Sequence, residues 1–191
     1  MRWQRGLFFI GVFALGGLVL AGLLCGCGYT TRSSIGNRFQ TIHVEPFLNK
    51  VELTKETDIQ SKYKIYRPYL ETDITRAVND KYLFDGNLRP VRKELADVVL
   101  KGELVEFLQD PLRYNDNDDV EEYRVNIRVD ISLWDRGRDE LVWQEDDFTG
   151  MATYFTSFYP VASDRGSEST AVREAIDDLA RRIVERTVEV W

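Results

Sequence analysis

Histidine and cysteine are almost missing from this chain: His43, Cys25 and Cys27 are all it has in 191 residues. Metal centres and catalytic dyads or triads need several such groups brought together, so this scarcity argues against both. Glycine-rich phosphate loops are absent too; the glycines fall in the opening apolar run, in turns, or singly in strand-like stretches. No serine sits in a nucleophile elbow. The run Asn115-Asp116-Asn117-Asp118-Asp119 has the acidity of a calcium loop but not its central glycine or its spaced terminal glutamate. It reads as a solvated hairpin tip, and His43 as a strand-surface residue. No cofactor or metal is implied, and an envelope hydrolase is disfavoured.

Long apolar runs are confined to one place. Arg2 and Arg5 precede Gly6 to Leu24, an uncharged stretch rich in Leu, Phe, Val, Ala and Gly. At about 19 residues it is long enough to cross a bilayer, so length alone does not separate an uncleaved anchor from a signal peptide. The end of the run decides for a signal. Leu24-Cys25-Gly26-Cys27 puts a leucine three residues before Cys27 and a small residue just before it, the arrangement of a lipoprotein processing site. Cys25 would instead place bulky Leu24 at the cleavage position. Cys27 is the lipidation residue, residues 1–26 the cleaved signal, and residues 27–40, with Gly28, Gly36 and Asn37, a polar tether. Two or more acyl chains, at roughly 0.8 kcal/mol per buried methylene, anchor stably. Gly28 stands where an aspartate would signal inner-membrane retention, so the outer membrane is the expected address.

Cleavage leaves no free thiol, so the domain must stand on its core without disulfides. It also removes Arg2 and Arg5, taking the formal net charge from −7 to −9. A field of that sign works against nucleic acid and anionic surfaces, so an anion site must be a local basic patch.

Residues 41–191 suit a single domain. Thr41 to Phe47 reads as a strand that Pro46 either stops or confines to an edge. The charged stretch Asn49 to Ile65 reads as a long loop. Pro68 suits the first position of a helix, and Leu70, Ile74, Ala77 and Val78 make one apolar stripe that Asp85-Gly86-Asn87 ends. Lys81 lies near that end, where the helix dipole favours a cation. Ala96 to Phe107 begins with alternation. Tyr123, Val125, Ile127, Val129, Ile131 and Leu133 then give six apolar residues at strict period two, a half-buried strand. Arg136-Gly137-Arg138-Asp139 turns the chain back into Glu140 to Tyr154, whose alternation slips in a way that a bulge near Asp146-Asp147 would explain. Val172, Ile176, Leu179, Ile183 and Val188 share a last helical face, capped by Ser167 or Ser169. The expected fold is α+β: a four-stranded mixed sheet in the order strand, helix, three strands, helix. A right-handed crossover leads into an antiparallel meander, and both helices pack on one face.

Several segments resemble the lipopolysaccharide-assembly lipoproteins of the LptE type. Cys27-Gly28-Tyr29 is similar to their mature N-terminus, and Ile42-His43-Val44-Glu45-Pro46-Phe47 with Asn49-Lys50 to their first strand and its exit. Ala96-Asp97-Val98-Val99-Leu100-Lys101-Gly102-Glu103-Leu104 resembles the next strand. Glu122-Tyr123-Arg124-Val125, Leu133-Trp134-Asp135 and Leu141-Val142-Trp143 resemble the last two. The resemblance implies a non-catalytic outer-membrane lipoprotein, facing the periplasm or inside a barrel lumen. It would plug and help assemble the β-barrel translocon, of the LptD type, that delivers lipopolysaccharide to the cell surface. A non-catalytic subunit or activator of another envelope machine, for phospholipid transport or cell-wall synthesis, is the alternative.

Two clusters are candidates for contact. Arg124 and Arg128 lie on the polar side of the third long strand pattern with Lys101 on its neighbour, the best local site for lipopolysaccharide phosphate. The competing reading pairs them with Glu103 and Asp130 across the sheet. Phe155, Phe158 and Tyr159 follow the last strand beside Tyr154, which belongs to the inward alternation. They either cap the core under the second helix or dock against the barrel partner.

Overall fold

The computed structural model describes residues 38–51, 67–156 and 167–189. The signal, Cys27, most of the tether, residues 52–66, Phe158 and Tyr159 lie outside the described residues. All of the described residues belong to one compact unit, Arg32–Trp191.

The elements are β1 (Thr41–Val44), β2 (Leu48–Asn49), α1 (Leu70–Asp85), β3 (Arg89–Pro90), a 3-10 turn (Lys93–Leu95), β4 (Val98–Tyr114), β5 (Val120–Asp135), β6 (Glu140–Phe155) and α2 (Glu168–Glu189). The described strands form a six-stranded sheet in the order β3-β1-β4-β5-β6, with β2 also beside β4. β1 runs parallel to β3 and β4, β2 parallel to β4, and β4-β5-β6 is an antiparallel meander. The expected α+β layout holds, with its crossover into a meander. The four-stranded sheet does not, because β2 and β3 are added strands of two residues each. Neither is long enough to show a period; each exists because a neighbouring strand offers free backbone groups. Lys50 N donates to Leu104 O at 2.8 Å. With Val51 packed against the core, the first residues of the expected loop are thus tied to the sheet.

Local chemistry places the element ends. β1 stops two residues before Pro46, but β1 is an inner strand between β3 and β4, so proline ends it without marking an edge. α1 starts at Leu70, later than Pro68 suggested, because Tyr69 takes a left-handed φ of 64° at its N-cap. Gly86, at φ 76°, closes it with its N–H on Tyr82 O, 3.1 Å away. No basic residue occupies the last turn. Lys81 instead lies over the Phe84 ring, 5.6 Å from its centroid. At the β4-β5 turn Asn115 Oδ1 accepts from Asn117 N and Asp119 N, both at 2.9 Å. The acidic run is a hairpin tip whose side chains shape the turn.

β4 is longer than its sequence suggested. A bulge between Leu104 and Glu106 shifts the alternation, so that Leu104, Phe107 and Gln109 all face the helices. β6 carries the expected bulge: Val129 pairs with Phe148 and Ile131 with Glu145, so Asp146 and Asp147 together stand opposite the single Asp130, with Asp147 at φ 57°.

The inward rows of the sheet meet Leu70, Ile74, Val78 and Tyr82 of α1 and Val172, Leu179, Ile183 and Val184 of α2 in one buried cluster. Each such Leu, Ile or Val side chain contributes roughly 1.5–3 kcal/mol. Two glycines permit the closest approaches. A Cβ on Gly150 would run into Leu179 and lie 2.6 Å from Ala175 O; one on Gly102 would enter the Phe47 ring.

Among the described residues the sheet edges are interrupted in three ways. β3 holds Pro90, and β4 holds Pro111 next to further bulges. On β6, α2 side chains take up outward backbone groups: Asp178 accepts from Met151 N at 3.2 Å, and Arg182 donates to Thr149 O.

Candidate functional site

With both helices on one face, the opposite face of β4-β5-β6 is bare of secondary structure among the described residues. Cross-strand register sets out its rows: Lys101 beside Ser132; Glu106 beside Arg128 beside Thr149; Leu108 beside Asn126 beside Met151; Asp110 beside Arg124 beside Thr153; Arg113 beside Glu122 beside Phe155. Lys101, Arg124 and Arg128 therefore share this face, in three different settings.

Lys101 Nζ sits 4.7 Å from the centre of the Trp134 ring, whose Nε1 donates to Ser132 Oγ at 3.0 Å. Its row lies four residues along β5 from that of Arg128, roughly 14 Å at ~3.4 Å per residue. Lys101 thus lies as far from Arg128 along the sheet as Arg128 does from Arg124.

Arg128 is held in place. Its guanidinium pairs with Glu106 Oε2 at 2.8 Å and Asp147 Oδ1 at 3.3 Å, reaching one strand on either side. Asp130 Oδ1 accepts from Asp147 N at 2.9 Å and so steadies the bulge. The pairing expected with Glu103 and Asp130 is replaced by Glu106 and Asp147, because the two bulges shift which carboxylates stand beside Arg128.

Arg124 has no side-chain hydrogen bond or ion pair among the described residues. Its cross-strand neighbour Asp110 accepts instead from Asn126 Nδ2 at 2.6 Å. Arg124 is half-buried, flanked by the rows of Leu108 and Met151 on one side and of Arg113 and Phe155 on the other. Arg113 was not visible as part of this cluster in the sequence. Bulges on both sides of it put it in the Glu122–Phe155 row, with Glu122 Oε2 at 3.8 Å and the Phe155 ring centre at 5.9 Å. The far half of the open face thus offers two guanidinium groups beside apolar side chains, with Met151 46% exposed.

Phe155 is half-buried on that same face, while Tyr154 turns inward, buried and stacked on Tyr123 with centroids 5.6 Å apart. Burial, with the charge of Glu168 adding to it, pushes the Tyr154 phenol up to about 12. His43 is half-buried, and its Nδ1–H donates to Val91 O at 3.0 Å. Among the described residues no helix is long and apolar enough to cross a membrane.

Solved structures similar to this chain include three from different bacteria. A Xanthomonas campestris protein of family DUF330 superposes with a TM-score of 0.50 at 13% identity, covering 78% of this chain and 84% of that one. The rare lipoprotein B from Shewanella oneidensis gives 0.43 at 15% identity over 76% and 92% of the two chains. A minor lipoprotein from Acinetobacter baumannii gives 0.45 at 15% identity over 79% and 91%. The first shares the fold. No curated protein matches the chain. Residues 39–187, which span the whole sheet and nearly all of both helices, match the family model described as LptE, lipopolysaccharide-assembly, and the chain belongs to that family.

Proposed function

We propose that this chain is an outer-membrane lipoprotein that plugs, and helps assemble, the β-barrel translocon through which lipopolysaccharide reaches the cell surface. The family match over residues 39–187 carries the reading. The processing site before Cys27 supports it from the other end of the chain: residues 1–26 are removed, Cys27 takes the lipid, and residues 27–40 tether the domain. The role is to bind and position, without bond chemistry.

On this reading the open sheet face meets the lipid. Arg124, with no ion pair among the described residues, is the phosphate ligand; Arg128 and Lys101 add positive charge, and Leu108 and Met151 offer apolar surface beside it. Phe155, with Phe158 and Tyr159, docks on the barrel partner.

Affinity purification of the native chain from outer membranes in mild detergent tests the core of the proposal. The expected product is a complex with a large outer-membrane β-barrel protein. Recovery with an inner-membrane complex instead overturns it and favours an accessory subunit of another envelope machine.

A further inference from the structure

A groove of about 760 Å³ runs between α1 and α2 on the side of the helices away from the sheet. Its apolar floor comes from Ala77, Val172, Ile176 and Ala180, the last three almost wholly buried. At its rim stands Phe84, 87% exposed, with Leu83 next to it at 64%. A hole and a knob therefore occupy one surface.

The charges repeat that duality. Arg76, Lys81 and Arg173 alternate around the groove with Asp73, Asp80 and Asp177. Only Arg76 and Asp73 are paired, at 3.9 Å; the other four make no ion pair among the described residues. With Arg67 at one end, the lining holds four cations and three carboxylates, in a chain whose formal net charge is −7. Copies of a chain with that net charge repel one another overall, and the lining of this groove carries no excess of negative charge.

We propose that this face binds a second copy of the chain, in a two-fold contact of α1 and α2 against α1 and α2. A two-fold axis places each residue i against j and each j against i, so a surface that pairs with itself must hold both members of every contact. This one does. Phe84 of each copy seats in the other's groove, and the unpaired cations of each rim face the carboxylates of the other. A partner of different sequence would need only one half of that set. The contact lies on the helices and leaves the open sheet face free, so it stands or falls independently of the lipid-binding proposal.

The test is sedimentation velocity on the full-length protein in density-matched nonionic detergent, across low to high micromolar concentration, for wild type, Phe84→Glu and Arg173→Asp. Both positions are exposed, so the melting temperature should not change. The expected result is a concentration-dependent dimer that each substitution weakens by about tenfold or more, the scale on which truncated interface anchors act. A wild-type protein that stays monomeric throughout overturns the proposal and leaves the groove to a different partner. A dimer that neither substitution disturbs overturns it as well.

Discussion

Tyr82 of α1 and Thr187 of α2 share a buried hydrogen bond of 2.8 Å across 105 residues of sequence. Thr187 Oγ1 donates to Ile183 O at 2.8 Å, so its lone pair accepts the tyrosine proton. The two partners are therefore unequal. Tyr82→Phe removes one hydrogen bond and leaves the threonine still bonded to its own helix, costing about 0.5–1.5 kcal/mol. Thr187→Val strands a fully buried phenol and should cost more, about 1–3 kcal/mol. Urea unfolding of the two variants checks the order.

The same tyrosine makes stability fall in alkali. Burial raises the Tyr82 phenol far above its ordinary 10.0, and Tyr154 is raised to about 12. Both phenols hold their proton more tightly folded than unfolded. Their contribution is complete below pH 10 and declines as pH climbs through the folded values. Tyr82→Phe should flatten the loss of stability between pH 9 and pH 11, followed by unfolding midpoints at each pH. An unchanged slope would show that the phenol is not held neutral.

Asp97 works in the opposite direction. Burial alone would raise its carboxyl. Hydrogen bonds from Gln40 N, at 2.8 Å, and Thr41 N, at 2.9 Å, with the nearby Arg136 charge, hold it below the usual value of 3.8. Its contribution is present above that value and lost as pH falls through the folded one. Asp97→Asn should blunt acid destabilisation below about pH 4. It should also speed amide exchange at residues 40 and 41; unaltered exchange there would mean that the carboxylate does not pin β1.

Gly150 and Gly102 should respond unequally to alanine. At Gly150 the obstacle is the α2 backbone at Ala175 and Leu179; at Gly102 it is the Phe47 ring. A helix shift is harder than a ring rotation. Gly150→Ala should cost about 1–3 kcal/mol even after the gain from a stiffer unfolded chain, and Gly102→Ala less. Thermal melts suffice to rank them.

Arg124 and Arg128 should separate binding from stability. Arg128→Ala breaks two ion pairs, each worth about 0–1 kcal/mol, and should lower the melting temperature. Arg124→Glu should leave it unchanged and reduce capture of purified lipopolysaccharide. Normal capture by a folded Arg124→Glu protein removes Arg124 from the lipid site. Metabolic labelling with palmitate adds a check at the anchor: Cys27→Ala should lose the label and Cys25→Ala should keep it.

Much of this was legible where side chains alternate without interruption. Tyr123 to Leu133 announces β5, and the slip at Asp146-Asp147 announces its bulge. β2 and β3 were not legible, because two residues carry no period and owe their pairing to strands distant in sequence. Nor was the far half of β4, whose bulge after Leu104 resets the alternation and whose Pro111 suggests a stop. That same reset decides which carboxylate meets Arg128 and puts Arg113 on the open face, so the cluster's composition could not be read from spacing. The groove between α1 and α2 depends on how two helices 83 residues apart settle on one sheet, from Asp85 to Glu168. Local patterns do not encode that.

Guarded sheet borders bear on what another chain meets at this protein's edges. An unfolded chain exposes long stretches of unpaired backbone, and any free strand edge would be a template for it. Here α2 lays Asp178 and Arg182 along the middle of β6, and Pro90 and Pro111 interrupt the other side. Backbone zippering is refused at these positions whatever the sequence of the incoming chain. An incoming chain meets side chains and proline rings there instead of open backbone groups.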